Sequence, residues 1–166
     1  MPSAVDYQIH QAGEWRIRGL NNAWDAGMQH ALIAVVERQP LSKHPQTVSF
    51  SWPADGPHKR YFLKIFHRAL GLGNLKDLFR QSKAVRFWRQ GLKLEAAGFN
   101  VPLTIALGEQ LWGGFVRRSF VLTAALDGMP VSLYLSALES SPSTLAQINM
   151  KRLALTQLGI QIRGFH

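Results

Sequence analysis

The chain has 166 residues, 46% of them hydrophobic, and 19 Lys/Arg against 10 Asp/Glu give a formal charge of +9 and a pI near 10.5. That length builds one hydrophobic core and hardly two, and the charge selects polyanionic company: nucleic acid, an anionic membrane surface or phosphorylated small molecules. With no cysteine, disulfides and thiolate-bound metals are excluded while the compartment stays open.

Residues 1–22 are polar and irregular or weakly strand-like, with Trp15 alternating among charges. Asp6, Glu14, Arg16 and Arg18 leave no apolar segment of the signal-peptide kind. The longest apolar runs, such as residues 31–36, are far too short to cross a bilayer. A cytoplasmic chain is expected, peripheral placement at the inner membrane being the variant its charge allows. A helical rhythm over 23–37 (Trp24, Met28, Ala31, Leu32, Val35) closes before Pro40. Thr47-Val48-Ser49-Phe50-Ser51-Trp52 alternates with period two. Asp55-Gly56 and the run Tyr61-Phe62-Leu63-Lys64-Ile65-Phe66 follow, predicting a β-hairpin. Gly71-Leu72-Gly73-Asn74 breaks the chain, and a helix is expected over 75–97, ended by Gly98 with Pro102 beyond. A strand over 101–107, a Trp112-Gly113-Gly114 turn and a strand over 118–126 come next. A short helix over 131–138 and a long amphipathic helix over 144–165 (Leu145, Ile148, Leu155, Leu158, Ile162) complete the chain. The order of strands, helices, strands and finally helices only predicts an α+β fold.

Charge concentrates in residues 59–93, where ten Lys/Arg face one acid, Asp77. At 100° per residue, Lys83, Arg86, Arg89, Gln90 and Lys93 share one arc of the helix, with Ala84, Phe87, Trp88, Gly91 and Leu92 opposite. Glu95 falls near the middle of the apolar arc, where a carboxylate is costly to bury without a cation. Lys64, inside the preceding strand, is the nearest cation by topology. The bland alternative leaves Glu95 in water at a frayed helix end and Lys64 snorkelling. A strand lysine, then a helix that offers a carboxylate, then a strand leading through a short linker into helices is the layout of the nucleotide-binding lobe of protein-kinase-like folds. There the lysine meets the α- and β-phosphates of ATP.

Several segments resemble the bacterial lipopolysaccharide core kinase family, which phosphorylates Kdo or heptose sugars. Tyr61-Phe62-Leu63-Lys64 resembles its ATP-lysine strand, Ser82-Lys83-Ala84-Val85-Arg86-Phe87-Trp88-Arg89-Gln90-Gly91 its basic helix, and residues 94–102 the end of that helix and the entry to the next strand. Residues 118–126 resemble the strand that runs into the hinge, where backbone near Thr123, Ala124 and Ala125 would meet adenine. Residues 153–166 resemble the helix before the catalytic loop. The resemblance spans roughly residues 39–166. It implies an amino-terminal extension over 1–40, a kinase-like lobe over 41–126 and the first helices of a truncated second lobe over 127–166. It also implies ATP and Mg as the family's cofactors, with Lys64, Glu95, Thr123, Ala124 and Ala125 toward the nucleotide.

Three departures limit it. Phe87 stands where much of the family places the lysine-pairing glutamate, so the ion pair is absent or falls to Glu95. Residues 41–46 hold no glycine for a phosphate-covering turn, and the chain ends at His166, before the family's His-Gly-Asp loop and metal-binding aspartate. No catalytic residue can be matched, and the expectation is an inactive or partial kinase module, with a separate polypeptide as one source of the second lobe. The alternative is a non-catalytic basic module whose Lys83, Arg86, Arg89 and Lys93 face lipopolysaccharide core or an anionic inner-membrane surface. Nucleic acid is disfavoured, since the helix aromatics lie opposite the basic arc. The six histidines lack metal-ligand spacing, and Gly71-Leu72-Gly73 lacks the third glycine of a dinucleotide fingerprint. Residues 140–144 signal a helix start, and the five tryptophans fit core roles.

Overall fold

The computed structural model describes residues 6–53, 58–68, 80–126, 128, 133, 136–137 and 144–163, and contacts divide the chain into two units, Met1–Leu126 and Asp127–His166. The class is α+β. The first unit holds β1 (Tyr7–Ala12), β2 (Trp15–Leu20), α1 (Ala26–Arg38), β3 (Gln46–Trp52), β4 (Lys59–His67), α2 (Lys83–Ala96), β5 (Thr104–Trp112) and β6 (Phe115–Ala124). The second holds α3 (Leu145–Arg163), on which Leu145, Ile148 and Leu155 are exposed. The six strands form one antiparallel sheet in the order β1-β2-β5-β6-β4-β3.

Alternation along the strands gives the sheet two faces. On one, Trp15, Ile17, Leu63, Ile65, Phe120 and Leu122 pack with Met28, Leu32 and Val36, which recur every fourth residue along α1. Each fully buried Leu, Ile or Phe contributes about 1.5–3 kcal/mol. Asp25 caps α1 by accepting the Met28 N–H at 2.8 Å, and Arg118 Nη1 donates to the Val36 and Glu37 carbonyls at its other end, 3.2 Å each. On the opposite face, Phe66, Leu107 and Val121 pack with Ala84, Val85 and Trp88 of α2. Ser82 caps α2 by accepting the Val85 N–H at 3.2 Å. Gly98 takes a left-handed φ of 85° just past the other end, as a helix-terminating glycine does.

Several expectations are corrected here. Residues 7–20 form a hairpin joined at Gly13 and Glu14, and β2 pairs with β5, so this hairpin belongs to the same sheet as the rest of the unit. The basic helix starts at Lys83, because Ser82 supplies its cap. Residues 75–79 of the expected helix, residues 71–74 and the Asp55-Gly56 turn lie outside the described residues, although β3 and β4 pair antiparallel as a hairpin requires. The fifth strand begins at Thr104 and runs to Trp112. Most of the expected helix over 131–138 also lies outside them, Leu133, Ser136 and Ala137 being helical.

Candidate functional site

Lys64 sits mid-strand in β4, flanked by β3 and β6, in a row with Thr47, Val121, Leu107 and Arg18 across the sheet. This is the α2 face, and α2 covers only part of it: Val121 and Leu107 are buried, Lys64 is half-buried and Phe62, two residues back on the same face, is 47% exposed. A strand lysine at the margin of a covered face keeps its stem on apolar surface and its ammonium near water.

The ammonium does not meet a carboxylate among the described residues, where the ion pair is Arg16 to Glu109 at 2.7 Å. Lys64 Nζ lies instead 4.8 Å from the centroid of the Phe87 ring and 5.9 Å from that of Phe66, the two rings being 6.3 Å apart. Phe87 therefore holds the lysine through its π-face. Phe87 is 40% exposed, which corrects its placement in the core. The helical wheel assigns an arc correctly, but the arc is wider than the sheet surface that covers it.

Glu95 is exposed and lines a cleft with Tyr7, Trp88 and Leu103, as in the alternative that leaves it in water, and no ion pair joins it to Lys64 among the described residues. Burial raises the Tyr7 hydroxyl above its usual pKa, with Trp88 opposing the rise and Glu95 adding to it. That hydroxyl donates to the Thr104 carbonyl at 2.8 Å, and the Tyr7 and Trp88 rings meet edge-on at 5.5 Å. Glu95 thus belongs to the β1 side of the sheet, while Lys64 stands on the β3 side.

At the end of β6, the Ala124 N–H donates to the Leu103 carbonyl at 2.8 Å and the Ala125 N–H to the Arg60 carbonyl at 3.0 Å. These two donors are committed to backbone carbonyls of the same unit. The Thr123 hydroxyl donates to the Phe62 carbonyl at 3.4 Å, beside Lys64. Thr123, Phe62 and Lys64 thus share one patch of the open face. Phe62 was missed as a candidate, although strict alternation puts it on the lysine's side.

Lys83, Arg86, Arg89 and Lys93 are all exposed, and Arg89 Nη1 donates to Gln81 Oε1 at 2.9 Å. Among the described residues, no group of three or more His, Asp or Glu is placed to hold a metal ion, and no helix is long and apolar enough to cross a membrane. Comparison with protein-family models, curated proteins and solved structures finds no match to this chain.

Proposed function

We propose that the Met1–Leu126 unit is a nucleotide-binding lobe of the protein-kinase type, related to the lipopolysaccharide core kinases that move a phosphoryl group from ATP to a Kdo or heptose hydroxyl. In this reading Lys64 takes the α- and β-phosphates, and Phe62 and Thr123 flank the nucleoside. The observation that carries it is Lys64 itself, a half-buried strand lysine on an open sheet face without a carboxylate partner among the described residues. It is followed by a helix and two strands in the chain order of such lobes. A cation in that setting is available to an anionic ligand, and the face around it holds an exposed aromatic and a hydroxyl.

The proposal covers binding and not transfer. No His-Gly-Asp sequence occurs in the 166 residues. Magnesium, which the family uses with ATP, does not fit the described residues, because they assemble no acidic cluster to hold it. No base and no metal-dependent step is assigned to this chain. ATP with magnesium is expected to raise the melting temperature of the wild-type chain, and Lys64→Ala is expected to abolish that rise while keeping a cooperative transition. A wild-type chain that ATP leaves unshifted would sink the reading.

A second reading has its own support in the exposure of Lys83, Arg86, Arg89 and Lys93, which suits a basic module resting on an anionic membrane surface. The partial exposure of Phe87 beside this arc removes the argument that all the helix aromatics are buried away from a nucleic acid. Retention on anionic liposomes against heparin and RNA, each titrated with salt, separates the two surfaces. Lys64→Ala leaves either retention unchanged if the basic arc alone is responsible.

A further inference from the structure

A second basic feature lies at the far end of β4 and β6 from the Ala124 segment, where Lys83 and Arg86 of the outward arc meet Arg68 and Arg117, and the nucleotide reading does not account for it. There the strands and the first turn of α2 enclose a small cleft of about 50 Å³ open to solvent. Arg68, Arg80, Lys83, Arg86, Arg117 and Arg118 line it, and no carboxylate does among the described residues. Its floor includes Ser119, whose cross-strand neighbour Glu109 is buried and already paired with Arg16 at 2.7 Å. The nearest acid by register is therefore neutralised elsewhere.

Cations gathered around one small cleft repel one another, and low-dielectric walls strengthen that repulsion. Arg68 marks where the balancing charge belongs: its Nη2 is shielded from bulk solvent and has no hydrogen-bond partner among the described residues. A buried guanidinium nitrogen without an acceptor is a state folded chains rarely keep. The backbone fixes this arginine, since the Arg68 N–H donates to the Arg117 carbonyl at 3.1 Å and holds the two side by side. The start of α2 adds donors. Ser82 takes only the Val85 N–H, and the Arg86 N–H bonds the Ser82 carbonyl. The N–H groups of Lys83 and Ala84 remain at the positive end of the helix dipole.

We propose that this cleft binds a phosphomonoester dianion, with Arg68 and Arg117 as paired guanidinium donors and the α2 amino terminus and Arg86 closing around the remaining oxygens. Planar guanidinium groups match phosphate oxygens two at a time, and a helix start supplies backbone N–H groups in addition. The cleft begins at Phe66, whose ring lies 5.9 Å from Lys64 Nζ, and on that strand Lys64 lies two residues toward the opposite end. The proposal stands whether or not Lys64 binds nucleotide. The phosphate is either free in solution or carried on a lipid headgroup, the recognised chemistry being the same.

The full-length chain is titrated by calorimetry with inorganic phosphate replacing chloride at constant ionic strength, and its flotation with vesicles containing phosphatidic acid is compared with vesicles of matched charge containing phosphatidylglycerol, a diester. Saturable binding of inorganic phosphate, or retention that prefers phosphatidic acid, supports the site and identifies its source. Arg68→Gln and Arg117→Gln should each weaken it at least about tenfold. Arg86→Gln, at an exposed position where folding is not at stake, should weaken it less. Phosphate binding no stronger than that of chloride, together with equal retention on the two vesicle types, overturns the proposal. So does binding that survives Arg68→Gln, Arg117→Gln and Arg86→Gln alike.

Discussion

Lys64 and Phe87 form the contact on which the candidate site turns. A cation over a partly desolvated ring is worth about 0.5–2 kcal/mol, enough to bias the lysine toward one rotamer without the desolvation cost of a buried ion pair. Phe87→Ala should lower stability by an amount at or below that range, measured by denaturant titration, and should weaken nucleotide binding by loosening the lysine. Phe87→Glu should restore binding above the alanine variant, because a carboxylate can hold the ammonium instead. A second residue-scale consequence concerns His67, buried with Nε2 3.3 Å from Gln46 Oε1. Burial, and secondarily the Arg118 charge, lowers its pKa from the ordinary 6.5. In the unfolded chain this histidine takes up a proton near 6.5, whereas the folded chain resists it to lower pH. Its contribution is therefore constant above about 6.5 and becomes destabilising as pH falls below that value. Unfolding free energy followed from pH 7.5 downward should decline less steeply in His67→Gln than in the wild type.

The elements explain which parts of the site were legible in advance. Alternation over Thr47 to Phe66 fixed β3 and β4 and put Lys64 and Phe62 on a common face, because a half-covered sheet imposes period two on sequence. The hairpin of β1 and β2 was harder to see: β1 is an edge strand with no buried residue, so its sequence carries little pattern, and only Gly13, at φ 56°, marks the turn. Phe87 and Glu95 both fall in the apolar arc yet are exposed, since a wheel separates polar from apolar arcs but does not say how much of the apolar arc a particular sheet covers. The true start of α2 rests on one side chain. Ser82→Ala should cost about 1 kcal/mol by removing the cap, read as a shift in denaturation midpoint with an unchanged slope. Gly108 is set more tightly. A Cβ there would collide with the Phe120 ring, so Gly108→Ala should be among the most destabilising single-atom changes in the sheet.

At the scale of the molecule, the sheet order joins segments far apart in the chain: β2 reaches β5, and β4 lies between β3 and β6. The open face around Lys64 exists only once that whole sheet has closed, which is why a lysine in an apolar run announces itself in sequence while its neighbourhood does not. The same closure gathers Arg68, Arg80, Lys83, Arg86 and Arg117 at one end, turning a dispersed basic composition into a local site. Residues 1–126, with their own core on both faces of the sheet, should unfold cooperatively when expressed alone, as followed by calorimetry; a broad, non-cooperative loss of structure would mean that residues 127–166 are needed for the fold. The central claim, nucleotide phosphates at Lys64, is tested most directly on that side chain. Lysine acylation mapped by mass spectrometry with and without ATP should show Lys64 protected by the nucleotide while exposed Lys93 labels equally in both. Equal labelling of Lys64 in the presence and absence of saturating ATP would contradict the account.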